Sequence, residues 1–578
     1  MQKSYQLKSQ INLMSTSTIL KERNKVANVP GYQLVAESLF EHNVKTIFHI
    51  TGAPNIPLTR ECQKLGINLI GVRHEQAAAA AAQAYARVSG LPGVCLAPAG
   101  PAIANMVSAV SHATAEQVPI IALGGSGPRD QKGTGSFQEM DEINLMIPAA
   151  KKSIQIGCAK LIKANIDEAF KICQSGAKGA VYVDLPADML YEQIDPKDLF
   201  PSDMGLELAC PAALETDLLQ VLKLLESAKR PLVVAGSGII WSRAYMELRQ
   251  FLDLSNIPFY STPQSRGIVP DDHPSCFPAA RGIAFKQADT VLVIGTRANF
   301  VIGHFAPPRW SDDLQVIAIN IDPTELGHNK NLELAITADA KTSLIQLNKL
   351  ASDHFAGQRY QDWTETLATK NQEAENKLAA IATSNTIPIH PMRLMREIRD
   401  LLPRNAVVIE DGHDTLGFCR HSIPSFEPGH RINPGTLGNV GVGIPFGLGA
   451  KAHNPELPVI VISGDSAFGW NAMEIDTCVR ENLPITIVIC NNAGITARSE
   501  NESTMMPSQH LGWTNYEQVA TALGGVGIKV ERPEQLKPAL LEAFSNNKTT
   551  VVNVIVDKFV ASATNTGFAG VMGESYQS

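Results

Sequence analysis

No run of about 18 uninterrupted apolar residues occurs in the 578-residue chain, so a membrane-spanning helix is not expected. Cys-x-x-Cys pairs and zinc-type spacings are also missing. The nine cysteines, Cys62, Cys95, Cys158, Cys173, Cys210, Cys276, Cys419, Cys478 and Cys490, are scattered, which fits a reducing, cytoplasmic compartment. Positive charge is in deficit: 49 Lys and Arg stand against 57 Asp and Glu, a formal net charge of −8. That balance excludes a broad electrostatic attraction to nucleic acid or to an anionic membrane, and any anionic ligand must be met by local features. The first residues lack the apolar core of a secretory signal, and the final Tyr-Gln-Ser is no peroxisomal address. Lys3, Lys8, Lys21, Arg23 and Lys25 against Glu22 resemble an organellar targeting segment; with one arginine and a second start at Met14, residues 1–29 read instead as a disordered extension.

What is present is material for several cores. Apolar residues make up 44% of the chain and charged residues 18%, and the length exceeds what one core supports. Amphipathic stretches alternate with short β-rich runs (Thr46 to Ile50, Gly93 to Leu96, Ile120 to Leu123, Val181 to Val183), a pattern that predicts a parallel sheet covered by helices on both faces. The pattern dissolves into Pro, Asp and Ser between Asp195 and Pro211. It resumes with Pro231 to Ala235, Thr290 to Ile294 and Val316 to Ile321, and again with Val407 to Ile409, Val459 to Ile462, Ile485 to Cys490 and Val551 to Val556. The expected fold class is α/β, with three consecutive domains over 30–190, 191–352 and 385–560, a polar linker over 353–384 and a small-residue tail over 561–578 as a candidate lid.

The most informative stretch is Val459 to Gly469, which ends Gly464-Asp465-Ser466-Ala467, followed by a helical interval and Ile485 to Gly494, which ends Asn491-Asn492-Ala493-Gly494. Two parallel strands joined by a helix bring Asp465 and Asn492 to one carboxyl edge, where open α/β sheets bind ligands. Asp and Asn supply hard oxygen ligands for Mg²⁺ or Ca²⁺, and the small residues Gly464, Ser466 and Ala467 let backbone N–H groups approach phosphate oxygens. An ordinary strand-to-helix turn capped by Asp465 is the competing reading. In the first segment, Arg73-His74-Glu75-Gln76 opens an Ala-rich helix, so Glu75 is either a first-turn carboxylate favoured by the helix dipole or a functional acid.

Together these motifs resemble thiamine diphosphate (ThDP) enzymes. The Gly-Asp-Ser and Asn-Asn pair matches their diphosphate domain, and His-Glu-Gln-Ala-Ala with Tyr85-Ala86-Arg87 and Pro92-Gly93-Val94 matches their pyrimidine domain. The resemblance implies that Asp465, the Asn492 side chain and the Gly494 carbonyl bind one Mg²⁺. It also implies that Glu75 drives the aminopyrimidine to its imino tautomer, as a buried acid that favours its protonated form. In Asn433 to Gly443, it makes the Gly438 carbonyl an acceptor for the cofactor's amino group and Val440 the wedge that bends the cofactor. His413 and Thr415 stand as cofactor contacts. Their neighbour Asp414, where relatives carry Asn, sets a carboxylate near the diphosphate, and Ala102 replaces a flexible glycine. Such sites form between subunits, so the implied assembly is a homodimer at least and a homotetramer by family habit.

The branch most resembled contains 2-hydroxyacyl-CoA lyase and oxalyl-CoA decarboxylase, on Gly464 to Gly469 with Met473-Glu474-Ile475, Arg266 to Pro274, Gly295 to Phe300, and His112-Ala113-Thr114 with Met140-Asp141. Phe137-Gln138-Glu139 matches the lyase pattern, whereas the decarboxylase resembles Tyr-Glu-Glu there and carries tyrosine at the Thr496 position. Phe137 and Gln138 are thereby implied beside the reacting carbonyl. The implied reaction is cleavage or formation of the C1–C2 bond of a 2-hydroxyacyl-CoA, giving formyl-CoA and an aldehyde or ketone. Alternatives are acetolactate synthase-like carboligation of 2-keto acids, which also uses Phe-Gln, oxalyl-CoA decarboxylation, and a non-catalytic ThDP-fold protein. Gly236, Gly238, Arg297 and Asn299 are candidates to hold ADP or the CoA nucleotide in the middle domain.

Overall fold

Apolar runs too short for helices and closed by glycine turns become the strands of three all-parallel sheets in the computed structural model, which describes residues 28–202, 209–351, 354–355, 359–495 and 506–562. The expectations about the N-terminal extension, Thr496 and nearly all of the C-terminal tail lie outside the described residues. The first sheet runs, edge to edge, Asn68–Gly71, Thr46–His49, Gly93–Ala97, Ile120–Ser126, Ala180–Pro186, Lys152–Gln155. The third runs Arg431–Ile432, Val407–Asp411, Val459–Gly464, Thr486–Asn491, Thr550–Ile555, Val526–Val530. Numbered along the chain, both sheets have the order 2-1-3-4-6-5, so the two outer units share one topology. The middle sheet, with strands Pro231–Ala235, Phe259–Ser261, Thr290–Ile294, Gln315–Asn320 and Leu334–Thr337, has the order 2-1-3-4-5.

The outer units are packed face to face through one shared core. Helix Glu75–Ser89 of the first unit lies against helix Gly443–His453 of the third, and Ala77 to Ala82 are fully buried there with Phe446, Val461 and Ile487. Small residues on both helices permit the approach: a Cβ on Gly449 would meet the Ala81 carbonyl oxygen at 2.0 Å. Gly449→Ala is therefore expected to overpack this contact and lower stability by about 1–3 kcal/mol, read as a lowered melting temperature.

Helix Gln361–Ile381 occupies most of the stretch read as a linker, and its first turns belong to the middle unit. Trp363 and Leu367 are buried in that core, with the indole N–H donating to the Pro231 carbonyl at 3.2 Å. Two apolar residues four apart are enough to dock one end of an otherwise polar helix.

Candidate active site

The strand order of the third sheet reverses between Val407–Asp411 and Val459–Gly464, and a cavity of about 780 Å³, open mouth included, lies at the carboxyl ends of these strands. Strand pairing of Gly464 with Cys490 sets Asp465 beside Asn491, with Asn492 one residue further on, and Asp465 and Asn492 both line the cavity. The Asp465 carboxylate accepts the backbone N–H of Ser466 at 2.9 Å and that of Gly494 at 3.1 Å; Asn492 Oδ1 accepts the same Gly494 N–H at 3.2 Å. Asp465, Asn492 and Gly494 thus converge, with Gly464, Ser466 and Ala467 flanking Asp465 and His413, Asp414, Thr415 and Val440 also lining the cavity.

Lining chemistry decides what fits. Three carboxylates, Asp414, Asp465 and Asp557, face this cavity, and no lysine or arginine lines it among the described residues. Burial pushes the Asp465 carboxyl up to about 6, against backbone N–H bonds that pull the other way. Among the described residues, no three His, Cys, Asp or Glu side chains are grouped so that they could together hold a metal ion. One buried carboxylate beside an amide oxygen and a backbone carbonyl is an oxygen donor set suited to Mg²⁺, which keeps several ligands from water or from substrate phosphates. A diphosphate bridged by such a cation fits the cavity.

Asp414 is turned to one side: its Oδ1 accepts the Ser562 N–H at 2.9 Å, tying the helix His413–Ser422 to the start of the tail. The turn before that helix needs glycine. Gly412 has φ +100°, and a Cβ there would stand 3.2 Å from the Gly464 nitrogen. Gly438 also has positive φ, +62°, in the loop that brings Val440 to the cavity.

The first unit contributes a second group of residues that does not line this cavity. Glu75, half-buried, accepts the Asn105 side-chain N–H at 2.9 Å, and a Cβ on Gly100 would meet the Gln138 carbonyl oxygen at 2.4 Å. Glu75 and Gln138 therefore flank the first turns of helix Pro101–Ala115. Gln138 itself is held at φ +59°, uncommon for its residue type, by a loop whose Glu139 accepts the Gly133, Gly135 and Ser136 N–H groups. Phe137 is 83% exposed.

Two acids not assigned a role from the motifs prove structurally central. Asp411, fully buried and pushed up to about 7 by that burial, accepts the N–H groups of Gly441 at 3.0 Å and Gly443 at 2.7 Å, anchoring the glycine-rich loop. Glu474, also buried, accepts the Arg73 and His74 N–H groups at 2.9 and 3.2 Å across 401 and 400 residues of chain, so the turn that presents Glu75 is held by the third unit. The signal for Asp411 is an acid directly ending an apolar strand before glycine; nothing local marks the partner of Glu474.

Three of the nucleotide candidates of the middle unit also have structural contacts. A Cβ on Gly238 would meet Gly295 Cα at 2.7 Å, Asn299 Oδ1 accepts the Val301 N–H at 3.1 Å, and Arg297 donates to the Ala115 carbonyl at 2.6 Å. No helix among the described residues is long and apolar enough to cross a membrane.

Three family models match in order: the thiamine pyrophosphate enzyme N-terminal TPP binding domain over 30–145, the central domain over 218–347 and the C-terminal TPP binding domain over 412–554. Oxalyl-CoA decarboxylase of Escherichia coli is 31% identical over 548 residues, covering 93% of this chain and 96% of that protein. 2-Hydroxyacyl-CoA lyase 1 of Mus musculus is 31% identical over 551 residues, 92% and 94% of the two chains. The acetolactate synthase large subunit of Mycobacterium tuberculosis is 32% identical over 534 residues, 92% and 96%.

Proposed function

The chain belongs to the thiamine pyrophosphate enzyme family, on the branch of oxalyl-CoA decarboxylase and 2-hydroxyacyl-CoA lyase, and from that premise we propose that this ThDP-dependent carbon–carbon lyase acts on 2-hydroxyacyl-CoA. It cleaves or forms the C1–C2 bond, with formyl-CoA and an aldehyde or ketone on the other side of the reaction. When bound, ThDP supplies the carbanion and the electron sink. Asp465, Asn492 and the Gly494 carbonyl would hold its Mg²⁺; the Gly464 to Ala467 turn, Thr415 and His413 would meet the diphosphate; Gly438 and Val440 would orient the pyrimidine.

Glu75, Phe137 and Gln138 do not line their own chain's cavity, which supports a site completed by a second copy, in a homodimer or homotetramer. There Glu75 would exchange a proton with a pyrimidine ring nitrogen, and Gln138 would lie beside the reacting carbonyl.

The observation that carries the CoA-linked reading is a cationic cluster where the middle and third units meet. Arg281 is pushed down to about 9 by burial and by Arg420, Arg309 and Arg266, and its Nε and Nη2 have no hydrogen-bond partner among the described residues. Arg420 closes the last turn of helix His413–Ser422, whose first turn lines the cavity, so the cluster stands about 10 Å further along that helix. Arg266 is paired with Asp271, and the unpartnered Arg281 guanidinium supports an extended ligand with its reacting end in the cavity and a phosphate near Arg281. On this reading the phosphates of CoA would lie here rather than at the Gly-Ser-Gly turn.

Purified protein with ThDP and Mg²⁺ is tested on formyl-CoA plus aldehyde, oxalyl-CoA and pyruvate side by side. Turnover of the first pair is expected; turnover of pyruvate alone establishes the acetolactate synthase-like reading, of oxalyl-CoA alone the decarboxylase reading, and turnover of none of them with no ThDP bound a non-catalytic protein. Arg281→Ala is expected to raise KM for the thioester by about 10–100-fold, the scale of one charge-assisted hydrogen bond, with ThDP affinity unchanged.

A further inference from the structure

A second cluster of buried ionisable groups lies away from the cavity, beneath the loop that carries Gly438 and Val440. His112 and Glu116, one turn apart at the end of helix Pro101–Ala115, are 1% and 4% exposed. Glu116 Oε1 accepts the Thr436 backbone N–H at 2.6 Å and its hydroxyl as well, and a Cβ on Gly435 would stand 2.2 Å from the Glu116 carboxyl carbon. His112 Nε2 is 2.8 Å from the Pro434 carbonyl, and Nδ1 is 2.7 Å from Gln83 Oε1. Three successive loop residues, Pro434, Gly435 and Thr436, are thus seated on two side chains of the first unit, more than 300 positions away in sequence.

The hydrogen bonds bear on charge. Gln83 Nε2 donates to the Ala109 carbonyl at 2.9 Å, so its Oε1 is the end turned to His112, and a peptide carbonyl only accepts. Both imidazole nitrogens therefore face acceptors. Burial favours the neutral ring, but a neutral ring has one N–H and would set a lone pair against the other oxygen. The protonated ring satisfies both contacts, and the Glu116 carboxylate, bonded to Thr436 and not to the ring, favours that charge through space. Burial also opposes charge on Glu116, yet His112, the two Thr436 donors and Arg87 outweigh it and hold the carboxyl below the usual range. Arg87 is the remaining charged group facing the pair.

We propose that His112 and Glu116 are a charged pair of positioning residues that clamps loop 434–440 from beneath, and so sets where Gly438 and Val440 stand at the cavity. The clamp is a property of the chain alone; its effect on ThDP rests on the function proposed above.

Hydrogen exchange of the full-length protein without cofactor reads the clamp directly. Glu116→Gln keeps the shape and removes the charge, and should speed exchange of the 435–440 amides by on the order of tenfold or more, as expected when one partner of a buried charged pair is lost. Strand Val459–Gly464 should exchange as before. His112→Gln should do the same, and the double variant should loosen the loop by less than the product of the two single effects, because the charges leave together. Thr436→Val, which leaves the charges in place, should give a smaller effect and serves if Glu116→Gln fails to fold. Unchanged loop exchange, or single effects that simply multiply in the double variant, overturns the proposal.

Calorimetry then separates positioning from general loosening: Glu116→Gln should bind ThDP with Mg²⁺ about tenfold more weakly, on the scale of losing one charge-assisted contact, and inorganic diphosphate with Mg²⁺ as the parent protein does. Equal weakening of both probes overturns the positioning role. If the parent protein binds no ThDP at all, it is the function reading that fails, while the exchange result still decides the clamp.

Discussion

Asp465→Ala is expected to lower affinity for ThDP with Mg²⁺ by more than about 100-fold, beyond the cost of losing an outer-shell partner of a metal ligand. The reason is the composition of the cavity wall. No lysine or arginine lines it among the described residues, so on the function proposed above a diphosphate would depend on the cation, and the cation on the one buried carboxylate placed beside Asn492 and Gly494. The variant should nonetheless fold. Asp465 is a buried carboxyl that burial penalises, without a cationic side-chain partner, and its removal deletes that penalty along with two backbone hydrogen bonds. Thermal melts are then diagnostic: ThDP with Mg²⁺ should raise the melting temperature of the parent protein and leave that of the variant where it is. A variant that still binds ThDP tightly would show that the metal site lies elsewhere.

Glu75→Gln should have the opposite signature, with ThDP bound and turnover lowered by about 10²–10⁴-fold, the range of a lost acid–base contribution. Its side chain is held by Asn105 and its helix start by Glu474, neither of which the substitution disturbs, so the melting temperature should hold. Mixing the two dead proteins tests where the site is assembled. If Glu75 of one chain serves the cavity of another, hybrids of Glu75→Gln and Asp465→Ala contain one intact site in two, and random exchange of subunits should restore about one quarter of the parent activity. No restoration after verified exchange would place Glu75 and Asp465 of the same chain in one site.

Much of this was legible because chemistry and strand ends coincide in the chain. Gly464-Asp465 and Asn491-Asn492 each close an apolar strand, and once the two strands are parallel neighbours their ends must meet. Asp411 ends a strand in the same way and was overlooked because its partners, Gly441 and Gly443, are 30 and 32 residues on, at the end of a loop whose path no local pattern describes. The strands that the residue pattern announced are mostly central ones. Lys152–Gln155, Leu334–Thr337 and Val526–Val530 escaped it, and each is a sheet edge with at most one buried residue. An edge strand covered on one side has no need of a continuous apolar run.

By itself, then, the sequence determined three α/β units, their order and the two motifs that mark a diphosphate site, because periodicity and strand-end residues are local properties. Tertiary structure alone decided that the outer units share one core through glycine and alanine, that Arg281 meets Arg420, Arg309 and Arg266, and that His112 and Glu116 lie under a loop from the far end of the chain. Apart from Arg309 and Arg266, these partners are separated by more than a hundred positions, and burial there gives a carboxylate, a guanidinium or an imidazole a partner and a charge state that its own neighbours in the chain do not specify.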